Sequence, residues 1–210
     1  KVITETEELS SHGISFDKPQ VDLDKLRSWK DSVIGKLTKG LKALAKQRKV
    51  EIVHGVGKFA SPHLLEVATA DGRKTISFGH CIIAAGSSVA RIPGFPYDDP
   101  RVMDSTDALK LTDIPQRLLI IGGGIIGLEM ATVYDALGSK ISVVESMDQL
   151  IPGADADLIK PLFRRIKKRY EAIYLKTKVS RIEPSADGLV VTFEGENAPS
   201  QQTYDRILVA

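Results

Sequence analysis

Three glycines and one glutamate form the pattern in this sequence with the clearest chemical meaning. Gly122, Gly124 and Gly127 have the spacing G-x-G-x-x-G, and Glu145 ends the next apolar run. The first glycine permits a tight turn, the second lets a diphosphate approach the backbone, and the third lets a helix lie against a sheet. Unpaired amides at the start of that helix favour an anion. The pattern predicts a dinucleotide site; a glycine turn kept only for packing is the alternative.

Glu145 bears on which dinucleotide would bind. An acid at this distance from the glycines can accept hydrogen bonds from an adenosine ribose. A carboxylate about 4 Å from an extra ribose phosphate would be repelled by roughly 4 kcal/mol per charge pair at an effective dielectric constant near 20. The next residues, Ser146 and Met147, supply no arginine to offset that repulsion. The sequence therefore favours NAD over NADP, unless Glu145 is an ordinary solvated strand end.

Glu129 is the second acid near the glycines, and it has two interpretations. It lies in an otherwise apolar stretch, two residues after Gly127, and a buried carboxylate there would need a partner. The helix could instead turn it to solvent. The other interpretation is a contact with the nicotinamide end of the cofactor.

A strand, a helix and a second strand must position these residues. Residues 118–121 are wholly apolar, a helix is predicted from the glycines to Leu137, and a strand is predicted over 140–145. Beyond them the sequence predicts a basic helix, a strand, an antiparallel pair and a last apolar strand, over 157–170, 173–175, 179–183 with 189–194, and 206–209. Residues 111–210 are therefore predicted to be an α/β, Rossmann-like domain with a parallel sheet and a β-meander.

The region before residue 111 has a different pattern. A long amphipathic helix is predicted over 21–50, with an apolar stripe that faces a core. The stripe consists of Leu26, Trp29, Val33, Leu37, Leu41 and Leu44. Short strands are predicted over 51–54, 64–69 and 74–78, with a tight hairpin turn at Asp71 and Gly72. Residues 80–87 are predicted to be a buried strand, followed by a proline-rich linker.

Composition excludes several classes of protein. The 210 residues carry 29 basic and 27 acidic side chains, a balance too even to indicate nucleic acid as a partner. The basic run at 160–169 is predicted to be a solvated helix face. The single cysteine, Cys81, rules out a disulfide framework within these residues and favours the reducing cytoplasm. The longest apolar run, 118–131, is too short for a membrane helix, and the histidines show no metal spacing.

Several runs of the sequence resemble the flavoprotein disulfide reductase family, and especially its dihydrolipoamide dehydrogenase members. The similar runs are IIAAGSSVARIPG at 82–94, the stretch 104–158, KTKV at 176–179 and YDRILVA at 204–210. The helix DLDKLRSWKDSVIGKLTKGL is also similar to the bacterial, pyruvate-dehydrogenase-type branch. The resemblance covers nearly the whole chain, and 104–158 is its most specific part.

The resemblance implies two cofactors, FAD and NAD. It implies that the FAD site includes Gly57, Ala85, Gly86 and Ser87, although the family more often has a threonine within the Ala-Gly-Ser run. It implies that the NAD site is formed by Gly122, Gly123, Gly124, Ile125, Ile126, Gly127, Glu129, Glu145, Val179 and Ala210. Residues 1–110 are accordingly expected to be a partial FAD-binding domain and 111–210 an NAD-binding domain truncated in its last strand.

The family's catalytic groups are absent from these residues. A Cys-x-x-x-x-Cys redox pair and a His-Glu pair are not found, and Cys81, expected to be buried and inert, cannot replace them. The chain is therefore expected to be an inactive segment of a homodimeric enzyme. That enzyme would oxidise dihydrolipoamide, carried on lipoyl domains of a 2-oxo acid dehydrogenase complex. The alternatives are a segment of a related reductase, such as mercuric reductase, and a nucleotide-binding module without catalysis.

Overall fold

The computed structural model describes residues 2–17 and 19–210, which divide into two compact units. The larger unit contains the described residues up to Arg27 together with Val89–Ala210, and the smaller one is Ser28–Ser88. The predicted division near residue 110 concerns which cofactor each part binds, and it stays a prediction.

Helices and strands occupy most of the described chain. The helices are α1 (Val2–Leu9), a 3-10 turn (Ser10–His12), α2 (Leu23–Gln47), α3 (Ser105–Lys110), α4 (Ile125–Leu137) and α5 (Ala156–Ile166). The strands are β1 (Val56–Ser61), β2 (Leu64–Thr69), β3 (Gly72–Ser77), β4 (Val102–Met103), β5 (Arg117–Ile121), β6 (Lys140–Val144), β7 (Ala172–Tyr174), β8 (Lys178–Ser185), β9 (Gly188–Glu194), β10 (Gln201–Tyr204) and β11 (Arg206–Val209).

A five-stranded parallel sheet forms the centre of the larger unit. Its strand order is β4-β11-β5-β6-β7, with β5 in the middle. Strands of a parallel sheet are covered on both faces, so they are apolar throughout rather than alternating with polar residues. This is why the apolar runs at β5, β6 and β11 were recognisable in the sequence.

The two faces of this sheet face two different cores. Leu118 and Ile120 of β5 pack with α3, α4 and α5 in one cluster. Leu119 and Ile121 pack on the other side with residues of β8, β9 and β10. These last three strands form an antiparallel meander. The larger unit is thus helices, a parallel sheet and a meander in three layers, which confirms the predicted α/β class.

The smaller unit is built on part of α2 and an antiparallel meander of β1, β2 and β3. The predicted hairpin is present, but its turn lies one residue earlier than predicted: Thr69 pairs with Gly72, so Ala70 and Asp71 form the turn and Gly72 begins β3. The strand predicted over 51–54 is wrong: those residues are irregular, and the strand lies at β1 instead. β1 contains Gly57, a residue type that strands disfavour, so its sequence gave a weak signal.

Residues 80–87 do not form the predicted buried strand. They have no regular structure, and Ile82 and Ile83 are 92% and 74% exposed. Their apolar side chains resemble those of a strand, but in the described part of the chain no strand pairs with them, so the backbone lacks a hydrogen-bonding ladder. Cys81 is consequently exposed and not buried.

The apolar stripe of α2 also departs from the prediction. The helix is present, but Trp29 and Leu37 are 67% and 66% exposed, so most of the stripe does not face a core. Leu26, near the start of α2, does pack against the larger unit's core. Among Ser28–Ser88, all of which the structure describes, Val67 is the only buried residue. The sequence predicted the amphipathic pattern, but the described chain has no layer covering that face.

Candidate functional site

The glycine turn lies at the carboxyl edge of the parallel sheet, between β5 and α4. From β5 the chain passes through α4 to β6 on one side, and it later returns to the other side of β5 through β11. The strand order therefore reverses at β5. In open α/β sheets, ligands bind in the crevice at such a reversal, beyond the carboxyl ends of the strands.

Gly122 and Gly127 are required by the packing of the protein itself. Gly122 has φ of +110°, which disfavours other residues, and a Cβ there would overlap the carbonyl oxygen of Ala210. A Cβ on Gly127 would overlap the carbonyl oxygen of Gly122 and lie 3.0 Å from Cγ2 of Ile120. Gly127 therefore lets α4 approach the sheet closely, as the motif predicts.

Gly124 differs from both, because the protein does not require its lack of a side chain. It is the N-cap of α4, with φ −75° and ψ −176°, a conformation open to any residue. A Cβ there would meet no described protein atom within 4 Å. The open space lies beside the first amides of α4, where Leu128 makes the first helical hydrogen bond, to Gly124. This arrangement leaves room for an anion in contact with the turn.

Glu145 is buried beside the turn and holds it by hydrogen bonds. Its Oε2 accepts from the Gly123 N–H at 2.8 Å, and its Oε1 accepts from the Met147 N–H at 2.8 Å and the Ser146 hydroxyl at 3.2 Å. The residue is only 7% exposed. The structure therefore excludes the solvated strand end, and these donors compensate the burial of the charge.

A cavity of about 440 Å³ extends along the same edge of the sheet, within the range of small-molecule and cofactor sites. It is lined by Ile92, Phe95, Ile121, Gly122, Val144, Glu145, Ser146, Thr177, Lys178, Val179, Val209 and Ala210. The cavity thus brings together four residues predicted from sequence: Gly122, Glu145, Val179 and Ala210. They come from the ends of four different strands or turns.

The remaining NAD-site candidates lie on the glycine turn and the first turns of α4. Ile125 and Ile126 are exposed there, and their amides precede the helical ladder. Glu129 is also exposed, which agrees with the first of its two interpretations, a side chain turned to solvent. A nicotinamide contact by Glu129 stays a prediction.

The FAD candidates lie in two separate segments of the described chain. Gly57 is an exposed residue of β1, whereas Ala85, Gly86 and Ser87 are exposed in an irregular segment. Within the described residues no hydrogen bond joins these two places. Their role in a flavin site stays a prediction.

Sequence reasoning missed three kinds of residue at this site. Phe95 and Ile92 line the cavity from the segment predicted to be only a linker. Lys178 places a cation in the same cavity as Glu145. The sequence argument for NAD over NADP depends only on the residues at positions 146 and 147. Leu150 is the third kind of missed residue: it encloses the predicted Gly123, and its Cδ2 would be 2.5 Å from a Cβ added there. The sequence held one usable signal, since Lys178 adjoins the predicted Val179.

Other kinds of site find no support in the described residues. No group of three or more His, Cys, Asp or Glu side chains among them is placed to hold a metal ion. None of the helices in the described ranges has both the length and the apolar character to cross a membrane.

Comparison with known proteins agrees with this geometry. A family model described as pyridine nucleotide-disulphide oxidoreductase matches residues 3–210. The chain belongs to this family. Members of the pyridine nucleotide-disulphide oxidoreductase family use FAD and NAD. The match extends through both compact units and includes the glycine turn.

Individual relatives fall within the same family. The chain is 52% identical to a dihydrolipoyl dehydrogenase of Vibrio cholerae and 46% identical to one of Haemophilus influenzae, in each case with 100% of the chain covered. It covers 44% of each of those proteins, so it spans about half the length of the curated relatives it matches.

Solved structures show the same fold. The HOCl-induced flavoprotein disulfide reductase RclA from Escherichia coli is 26% identical, with a TM-score of 0.76 over 100% of the chain and 46% of that protein. LpdA from Mycobacterium tuberculosis has a TM-score of 0.85 at 20% identity, over 99% of the chain and 45% of that protein. The second likeness shows the fold alone.

Proposed function

We propose that this chain supplies the NAD-binding site, and part of the FAD-binding site, of a dihydrolipoyl dehydrogenase that oxidises dihydrolipoamide with NAD+. The names of the bacterial relatives support the activity, because the whole chain matches them at 46% to 52% identity. The geometry of the glycine turn supports a dinucleotide as the cofactor. The observation that carries the proposal is the glycine turn at the reversal of strand order, with open space beside Gly124.

The chain's own residues would bind and orient the dinucleotide. The amides at the start of α4 would hold the diphosphate, Glu145 would accept from the adenosine ribose, and Val179 would border the adenine. In such an enzyme FAD and NAD, when bound, carry electrons from dihydrolipoamide through a redox disulfide to NAD+. With one cysteine, these 210 residues cannot contain that disulfide, so their contribution is orientation and charge.

Two charges in the cavity act in opposite directions on the choice between NAD and NADP. Glu145 is buried, so its repulsion of a ribose phosphate is weakly screened, whereas Lys178 is exposed, so solvent and salt reduce its attraction. The buried carboxylate should therefore have the larger effect, and we propose NAD as the cofactor.

The proposal extends to the substrate, the assembly and the location of the enzyme. We propose that dihydrolipoamide is presented on lipoyl domains of a 2-oxo acid dehydrogenase complex, that the enzyme is a homodimer and that it works in the cytoplasm. The division into a partial FAD-binding domain over 1–110 and an NAD-binding domain over 111–210 belongs to this proposal.

The direct test is a titration of the full-length protein with NADH and with NADPH. We expect NADH to bind more tightly. Glu145→Ala should narrow the difference between the affinities for NADH and NADPH. Lys178→Ala should lower the affinity for NADPH slightly and leave the affinity for NADH nearly unchanged. If the ratio of the NADH and NADPH affinities is the same in Glu145→Ala as in the unaltered protein, the charge argument for NAD is wrong. If neither nucleotide binds, the proposed function is wrong.

A further inference from the structure

The contacts of Glu145 join the cavity to the glycine turn. Oε2 of the carboxylate accepts from the Gly123 N–H, while Oε1 accepts from Met147 and Ser146. Because both oxygens are engaged and the residue is buried, the protein alone determines where the carboxylate lies. A side chain that served only to meet a ribose would not need a bond to the turn.

Gly123 is held from both sides by the segment that follows β6. Its N–H is bound by Glu145, and its carbonyl oxygen accepts from the Ile151 N–H at 2.9 Å. Leu150, which is fully buried, lies so close that a Cβ on Gly123 would be 2.5 Å from its Cδ2. The peptide groups on either side of Gly123 therefore have fixed orientations. Gly124 follows directly and caps α4, so the orientation of the first helical amides depends on the same contacts.

Holding the turn leaves room for the ribose contact. A carboxylate can accept about four hydrogen bonds, and three donors meet Glu145 in this structure. About one site remains for a ribose hydroxyl. The two contacts are compatible, and each can be removed separately.

We propose that Glu145 is a positioning residue for the diphosphate-binding turn, in addition to its ribose contact in the proposed function, on which this inference rests. Through Gly123 it orients the amides at the start of α4 toward the diphosphate. Its loss should weaken dinucleotide binding even when the ribose has no hydroxyl to donate.

The test uses Glu145→Gln in the full-length protein and an NADH analogue whose adenosine carries 2′,3′-dideoxyribose. Glutamine has one acceptor oxygen, which the two donors at Met147 and Ser146 attract, so its amide nitrogen faces the Gly123 N–H and that bond is lost. The expected result is an affinity for the analogue that is about ten-fold weaker, the effect of one charge-assisted hydrogen bond. The matched control is Glu171→Gln, an exposed carboxylate just before β7 at the opposite edge of the sheet, which should leave the affinity unchanged.

Hydrogen exchange of the Gly123 amide without nucleotide gives a second measurement. It should be faster in Glu145→Gln than in the unaltered protein and in Glu171→Gln. If Glu145→Gln does not fold, Glu145→Asp keeps the charge but is one methylene shorter, so it should lose the bond to the Gly123 N–H and weaken the analogue as well. The inference is overturned if Glu145→Gln, or Glu145→Asp in its place, binds the analogue as tightly as the unaltered protein does. Failure of the unaltered protein to bind NADH would instead refute the proposed function.

Discussion

Replacing Gly124 by alanine separates nucleotide binding from stability. The other two glycines of the motif are confined by protein atoms, whereas a methyl group on Gly124 would extend into open space. Its backbone angles suit alanine. The substitution should therefore obstruct only a ligand that lies against the turn.

Gly124→Ala should have little effect on stability and a large effect on the affinity for NADH. Alanine in place of a glycine with compatible angles typically raises the free energy of unfolding by about 0.4–1 kcal/mol, because the unfolded chain loses freedom. At an N-cap, however, alanine is less favourable than glycine by a similar amount, so the two effects nearly cancel. A displaced diphosphate would lose at least one charge-assisted hydrogen bond to an amide, about 1.5–3 kcal/mol. The affinity for NADH should fall by a factor on the order of 10 to 100. Gly124→Ala should thus be about as stable as the unaltered protein and bind NADH poorly.

Gly127→Ala is the matched comparison, with the same change three residues later. Its methyl group would overlap the Gly122 carbonyl and press on Ile120, so it should destabilise the fold by about 1–3 kcal/mol. Denaturant unfolding gives the stability of each variant, and NADH titration gives its affinity for the nucleotide. NADH affinity unchanged in Gly124→Ala would refute the reasoning, because it would show that no part of the dinucleotide lies against the turn.

Two further predictions concern the framework of the site. Asp205 accepts from the Arg117 backbone N–H at 2.7 Å and from its guanidinium at 2.9 Å. Burial raises the pKa of Asp205, but the hydrogen bonds from Arg117 outweigh burial and bring the pKa below its ordinary value of 3.8. This stabilisation is present above about pH 4 and is lost as the pH falls through the lowered pKa. Asp205→Asn should therefore flatten acid unfolding below pH 4, and an unchanged acid limb would contradict this. The buried Tyr134 hydroxyl donates to the Ala108 carbonyl at 2.8 Å, so Tyr134→Phe should lower the free energy of unfolding by about 1 kcal/mol in urea, and no loss would mean that the bond contributes nothing net.

The parts of the fold that sequence predicts well are those buried on both sides. The predicted bounds of β11 agree with the structure, and those of β5 and β6 agree within one residue. The continuous apolar runs of β5, β6 and β11 reflect burial against a core on each face of the sheet. Their boundaries are marked by glycines and charged residues. By contrast β10, with the sequence Gln-Gln-Thr-Tyr, carries no such run and was not predicted.

Sequence predicts poorly whether an apolar face is covered by another layer of the structure. The α2 stripe and residues 80–87 have the composition of buried elements, and both are largely exposed among the described residues. Composition shows that a face is able to be buried, but not what covers it. The same reason applies at the site, since Phe95 and Lys178 reach the cavity through tertiary packing and not through spacing from the glycines.

The arrangement of the core indicates which part of the candidate site is most resistant to substitution. Gly122 packs against Ala210 and Gly127 packs against Gly122, where β5, α4 and β11 meet. The flanking strand residues are buried in two separate cores. Displacing the diphosphate turn would therefore disturb three elements at once. Lys178 and Val179, on the side proposed for the adenine, lie at the start of the meander and are exposed or half-buried. Substitutions there should alter which nucleotide binds at little cost in stability, whereas most substitutions in the turn should cost both, with Gly124 as the exception.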